Sequence, residues 1–205
     1  MKKINNFITE KFKLSSETTQ RYKPETRKEL RDLIIKILDA EGPDTNLNNI
    51  DTSLITDMNH LFSRISNKVG NIDVSDWDVS NVENMSFMFA DCKKFNCNLQ
   101  NWNTENVKNM SAMFYGCPNF NQTLENWDVS NVEDFEEMFE GCSKYDDNLS
   151  KWNVSKSQNL KRMFYNCEKF TGKGLENWKP NTTYNFTDMF KNTKIKPQDL
   201  PKWYK

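Results

Sequence analysis

The sequence predicts an α/β repeat solenoid: a stack of about six coils, each a strand, a turn and a short helix, closed at its N-terminal end by a helical cap. Three observations predict it. All six tryptophans keep one register, at Trp77, Trp102, Trp127, Trp152, Trp178 and Trp203, in steps of 25, 25, 25, 26 and 25 residues. Apolar residues around each tryptophan keep the same phase. Residues 1–47 lack the period and carry a helix signature instead. A coil of this length cannot bury its own hydrophobic face, whereas stacked coils share one continuous core.

The strand of each coil is read from the tryptophan frame. Leu99-x-x-Trp102-x-Thr104 and Leu124-x-x-Trp127-x-Val129 place the indole and a β-branched residue on one face with period two. The helix is read from the residues just C-terminal to that frame. Ser80-Asn81-Val82-Glu83 and Ser130-Asn131-Val132-Glu133 have the form of capping boxes, as does Ser155 with Gln158. From there Val82, Met85, Met88, Phe89 and Cys92 keep steps of three and four, the spacing of one helical face. Gly116-Cys117-Pro118 and Gly141-Cys142 resemble helix stops. Such coils would stack into one parallel sheet with helices along the other side. A degenerate earlier copy runs through Ile50, Thr52, Ile55, Met58, Leu61 and Phe62, one 27-residue step before Trp77.

Two segments are therefore expected, a helical cap over 1–47 and the repeat over 48–205. In the first, Thr26 as N-cap, Glu29 three residues on, the stripe Leu30, Leu33, Ile34, Ile37, Leu38 and the stop Gly42 predict a helix. Ile4, Phe7, Ile8 and Phe12 would line a shorter one.

The repeated unit Asn-Trp-Asp-Val-Ser-Asn-Val-Glu, continued by Met-Phe-x-x-Cys-x-x-Phe, resembles the BspA-like repeat of bacterial and mycoplasma surface proteins. Its Leu-x-x-Trp-x-Val frame is similar to the strand frame of leucine-rich repeats. The resemblance covers about residues 48–205. It implies a leucine-rich-repeat-like solenoid, a binding rather than catalytic role, and display at the cell surface as an adhesin.

Composition excludes several functions. The 28 basic residues nearly balance 29 acidic ones, for a net charge of −1, so the basic excess of a non-specific nucleic-acid binder is missing. No apolar run reaches the ~18 residues of a membrane span, and the N-terminus lacks the apolar stretch of a secretory signal. The reading from these features is a soluble, cytoplasmic protein, with the surface or secreted location implied by the resemblance as the alternative. No cofactor motif occurs, neither a glycine-rich phosphate loop nor metal-ligand spacing. The lone histidine, His60, has no nucleophile motif beside it, so the expectation is a non-enzymatic protein.

Cys92, Cys117, Cys142 and Cys167 recur at an apolar phase and read as stacked, buried free thiols, although their spacing would also permit a disulfide. Cys97, out of register, is expected to be the exposed or reactive one. The binding surface is expected on the residues flanking each tryptophan, which would face outward: Asp76 and Asp78, Asn101 and Asn103, Asn126 and Asp128, Lys151 and Asn153. The partner expected there is a protein. A second candidate is the variable position Phe87, Ala112, Glu137, Arg162 and Asp188, with Phe87 as an aromatic anchor.

Overall fold

A computed structural model describes residues 22–180 and 185–204; the expected helix through Ile4, Phe7, Ile8 and Phe12 lies outside these. The helix α1 spans Arg27–Glu41, entered at Thr26, whose hydroxyl accepts the Glu29 N–H. The Glu29 carboxylate reaches back to the Glu25 N–H at 3.0 Å. The exit is Gly42, at φ 100°, whose N–H donates to Leu38. Leu30, Ile34 and Leu38 of α1 are buried in the same core as the coils. Arg27 ties the helix to the first coil through Asp57 at 2.9 Å and the Asn59 carbonyl at 3.1 Å.

The coils correct the sequence reading. Among the described residues, α1 is the one α-helix, joined by four short 3-10 helices, and strand pairing is confined to isolated parallel bridges. There is no sheet and no short helix in each coil, so neither the α/β strand–turn–helix coil nor the leucine-rich-repeat build is what this chain forms. Each coil is instead a succession of β-turns. In the Trp77 coil, i+3 backbone bonds close Val74–Trp77, Val79–Val82, Met85–Met88, Phe87–Ala90, Phe89–Cys92 and Cys92–Phe95. The next coil repeats them from Leu99–Trp102 to Cys117–Phe120.

The misreading has a physical cause. A β-turn whose first and last residues point inward places apolar side chains three apart, and turns run end to end reproduce the three-and-four spacing of a helical face. Backbone sign decides between them. Phe87, Ala112, Glu137, Arg162 and Asp188 all have φ between 52° and 57°, and Asp91, Gly116, Gly141, Asn166 and Asn192 lie between 59° and 76°. Two left-handed residues per coil forbid a continuous right-handed helix. Gly116 and Gly141 thus occupy turn positions that favour glycine, not helix ends. The serines of the apparent capping boxes sit inside the Val79–Val82 type of turn, where the preceding aspartate, not the serine, supplies the oxygen. Asp78 accepts the Ser80 N–H at 3.0 Å and Asp128 the Ser130 N–H at 2.9 Å.

Coils are joined in register. Besides the Asn46–Asp73 bridge at the first junction, one column of parallel bridges links Asp57, Asn84, Asn109, Asp134, Asn159 and Asn185 in sequence. Beyond that column the ladder that continues from it runs one way. Met85, Phe87, Phe89 and Asp91 donate to Asn109, Ser111, Met113 and Tyr115, and the same four columns repeat at each later junction. In a parallel sheet donors and acceptors alternate along a strand; here left-handed residues turn the peptide planes to the same side, which is why the ladder never becomes a sheet.

The core is three aromatic columns. The indoles stack, Trp102 on Trp127 at 6.2 Å and Trp152 on Trp178 at 6.2 Å. Phe62, Phe89, Phe114, Phe139, Phe164 and Phe190 form the second column, at centroid spacings of 5.1 to 6.0 Å. Phe95, Phe120, Tyr145 and Phe170 form the third. Tryptophan is needed because its N–H also bonds between coils: Trp77, Trp102, Trp127, Trp152, Trp178 and Trp203 donate to the carbonyls of Leu47, Val74, Leu99, Leu124, Leu149 and Leu175 at 2.7–3.1 Å. A buried indole without such an acceptor would be costly.

Candidate binding face

Asparagine occurs 28 times in the chain, and many of those in the repeat have structural employment. Asn81, Asn106 and Asn131 donate to the carbonyls of Ser53, Ser80 and Glu105 one coil earlier. Asn71, Asn96 and Asn121 accept the backbone N–H of Asn96, Asn121 and Asp146 one coil later. Asn84, Asn109 and Asn159 each accept the N–H two residues ahead, holding the turn just past the bridge. An amide carries both a donor and an acceptor, which suits positions that must brace their own turn and a neighbouring coil.

All eight expected binding residues are exposed: Asp76, Asp78, Asn101, Asn103, Asn126, Asp128, Lys151 and Asn153. They form two rows with different duties. In the row after tryptophan, Asp78, Asn103, Asp128 and Asn153 each accept the backbone N–H two residues ahead, at 2.9–3.2 Å, so their side chains build turns. The row before tryptophan is freer. Lys151 bonds Asn126 at 2.9 Å and pairs with Glu125 at 3.4 Å. The side chains of Asp76 and Asn101 make no hydrogen bond or ion pair among the described residues. The sequence pattern brings the rows together but does not reveal that one of them is occupied by turn formation.

The variable position is less available than expected. Phe87 is half-buried, its ring stacked on His60 at 4.5 Å, and Ala112 is buried. His60 Nδ1 lies 3.0 Å from the Ser63 hydroxyl, and burial, reinforced by Arg64 and Arg27, lowers its pKa. What the sequence reading missed is a charged knot on the same column. Arg162 reaches Glu140 at 2.9 Å and Glu137 at 3.5 Å, with its guanidinium 4.2 Å above the Tyr165 ring, while Lys161 bonds Glu136 at 2.7 Å. Burial raises the Glu140 carboxyl pKa, against the opposing pull of Arg162. Acidic residues in one coil facing basic ones 22 to 25 positions on was the signal that could have found it.

Cys97 corrects the expectation of exposure. It is 7% exposed, its sulfur accepts the Val74 N–H at 3.4 Å, and burial pushes its thiol up to about 11. All five cysteines are buried and free. Cys117, Cys142 and Cys167 donate to the carbonyls of Phe89, Phe114 and Phe139 at 2.9–3.1 Å, each one coil earlier, and burial pushes Cys92 up to about 12.

The class defined by this geometry is a repeat protein of stacked turn-built coils with a polar outer face. Comparison with known families places it further: the model described as "Mycoplasma protein of unknown function, DUF285" matches twice, over residues 35–123 and 98–203, and the chain belongs to that family. No curated protein and no solved structure matches the chain.

Proposed function

We propose that this chain is a non-enzymatic protein-binding module of the BspA-like kind, using the row before each tryptophan as its contact surface. The observation that supports the reading is the division of labour in the outer face. The side chains of Asp76 and Asn101 are exposed and have no hydrogen-bond partner among the described residues, on a backbone held by an unbroken aromatic core. Rigid presentation of exposed polar groups reduces the ordering cost of association, and repeat proteins use such extended faces for macromolecular partners.

The test is affinity capture from the native host with wild type and with Asp76→Lys/Asn101→Lys. Both changes avoid the turn-forming row, so circular dichroism and thermal midpoint are expected to stay at wild-type values while capture of the specific partner falls. Equal recovery by both proteins would remove this row as the contact surface.

A further inference from the structure

The two ends of the stack are finished differently. At the N-terminal end α1 lies against the first coil, and Arg27 occupies the Asn59 carbonyl. At the other end, Trp203 donates to Leu175 and Tyr204 stands edge-on to Phe190 at 4.8 Å, closing the aromatic core. The backbone ladder stays open there. Leu160, Arg162, Phe164 and Asn166 donate to Asn185, Thr187, Met189 and Lys191, but their counterparts in the next coil, the N–H groups of Phe186, Asp188, Phe190 and Asn192, have no acceptor among the described residues. Asp188 and Asn192 have φ of 54° and 60°, so the four donors point the same way. Unpaired N–H groups that share one direction attract negative charge.

Charge is distributed to match. Residues 151–205 hold twelve Lys and Arg against four Asp and Glu, whereas residues 101–150 hold ten acidic against two basic. Much of the basic excess is neutralised one coil back, by Lys151–Glu125, Lys161–Glu136, Arg162–Glu140 and Lys173–Asp146. Lys194, Lys196 and Lys202 near the open end are exposed and make no ion pair among the described residues.

We propose that the open end docks an acidic segment of a partner protein, which adds itself as the next coil by presenting backbone carbonyls to Phe186, Asp188, Phe190 and Asn192, its carboxylates facing Lys194, Lys196 and Lys202. Addition of an extended segment to an unpaired backbone edge is a general recognition mode, and an edge left open invites it. The chain contains the pattern: acidic residues 131–142 present the carbonyls of Asp134, Glu136, Met138 and Glu140 to the N–H groups of Met110, Ala112, Phe114 and Gly116. This deepens the protein-binding reading by adding a second surface, and rests on it.

The probe is a fluorescein-labelled peptide copying residues 131–142, with serine in place of its cysteine. Amide exchange by NMR is expected to show slowing at Phe186, Asp188, Phe190 and Asn192 on addition of the peptide. Anisotropy is expected to show about tenfold weaker binding to Lys194→Glu/Lys196→Glu, about what two reversed exposed charges cost. Unchanged exchange at those four amides with saturating peptide overturns the proposal, as does equal binding of a peptide with lysine at every acidic position. An oligonucleotide that protects the amides better than the peptide overturns the choice of a polypeptide partner. Loss of partner capture in the Asp76→Lys/Asn101→Lys protein with peptide binding intact supports both surfaces; peptide failure with capture by the wild type intact rejects only the open end.

Discussion

Replacing Trp127 by phenylalanine tests the central physical argument, that tryptophan is required as both a packing unit and an inter-coil donor. Trp127 is 2% exposed, lies 6.2 Å from Trp102 with parallel rings, and donates to the Leu99 carbonyl at 2.9 Å. Trp127→Phe keeps an aromatic ring in the column but removes the N–H. The Leu99 carbonyl is then a buried acceptor without that partner, a loss of ~1–3 kcal/mol. The smaller ring also leaves about 40 Å³ unfilled, worth ~1 kcal/mol at ~24 cal/mol per Å³. The expected destabilisation is therefore ~2–4 kcal/mol. Urea unfolding monitored by far-ultraviolet circular dichroism measures it, as a fall in midpoint at unchanged slope. Trp203→Phe is the internal comparison: that indole makes the same bond at 2.7 Å but is only partly buried at the end of the stack, so water can replace the lost donor and about half the effect or less is expected. A Trp127→Phe loss below ~1 kcal/mol, or one equal to that of Trp203→Phe, would refute the reasoning.

Four further outcomes are expected from the same packing. Native protein titrated with a thiol reagent at pH 8 is expected to show no reactive cysteine and, after unfolding, five; burial holds the folded thiols above their ordinary pKa, with Cys97 up to about 11 and Cys92 up to about 12. Because these folded-state values are raised, the stability they contribute is complete below pH ~9 and is lost above it, by up to ~1.4 kcal/mol per pH unit for each thiol, which alkaline unfolding curves would register. Tyr145→Phe is expected to stabilise by ~1 kcal/mol in urea melts, since the hydroxyl is fully buried without a partner among the described residues, where neighbouring coils carry Phe120 and Phe170. Gly174→Ala is expected to cost more than ~2 kcal/mol in the same melts, beyond the ~1 kcal/mol of Gly42→Ala. At Gly174 the added carbon would fall 2.3 Å from the Ser150 nitrogen at φ 86°, whereas at Gly42 it meets nothing within 4 Å.

The difference between expectation and structure runs through the whole coil: the expected strand over Leu99–Thr104 opens in a turn closed by the Trp102 N–H on the Leu99 carbonyl, and the helix expected between Val79 and Phe95 and their counterparts is a run of turns. There a spacing of three is common to a helix and to consecutive turns, and left-handed φ is carried by Phe87, Ala112, Glu137 and Arg162, side chains that do not advertise it. A glycine at 87 would have exposed the turn; a phenylalanine concealed it. The candidate face was legible because strict alternation around a buried tryptophan puts both neighbours outside. That Asp78 and Asp128 are bound into turns while Asp76 is not could not be read from a pattern in which all three are aspartates beside tryptophan.

The periodic tryptophans, the buried thiols of the repeat and the helix from Thr26 to Gly42 were determined by sequence alone, because each depends on local chemistry: an apolar phase, a hydroxyl cap, a glycine stop. The turn-built coil, the one-way ladder and its open donors at Phe186, Asp188, Phe190 and Asn192 were decided only by the tertiary structure. Each coil's peptide groups take their orientation from the carbonyls of the coil stacked against it, and that partnership acts across about 25 residues of chain, beyond the reach of any local pattern.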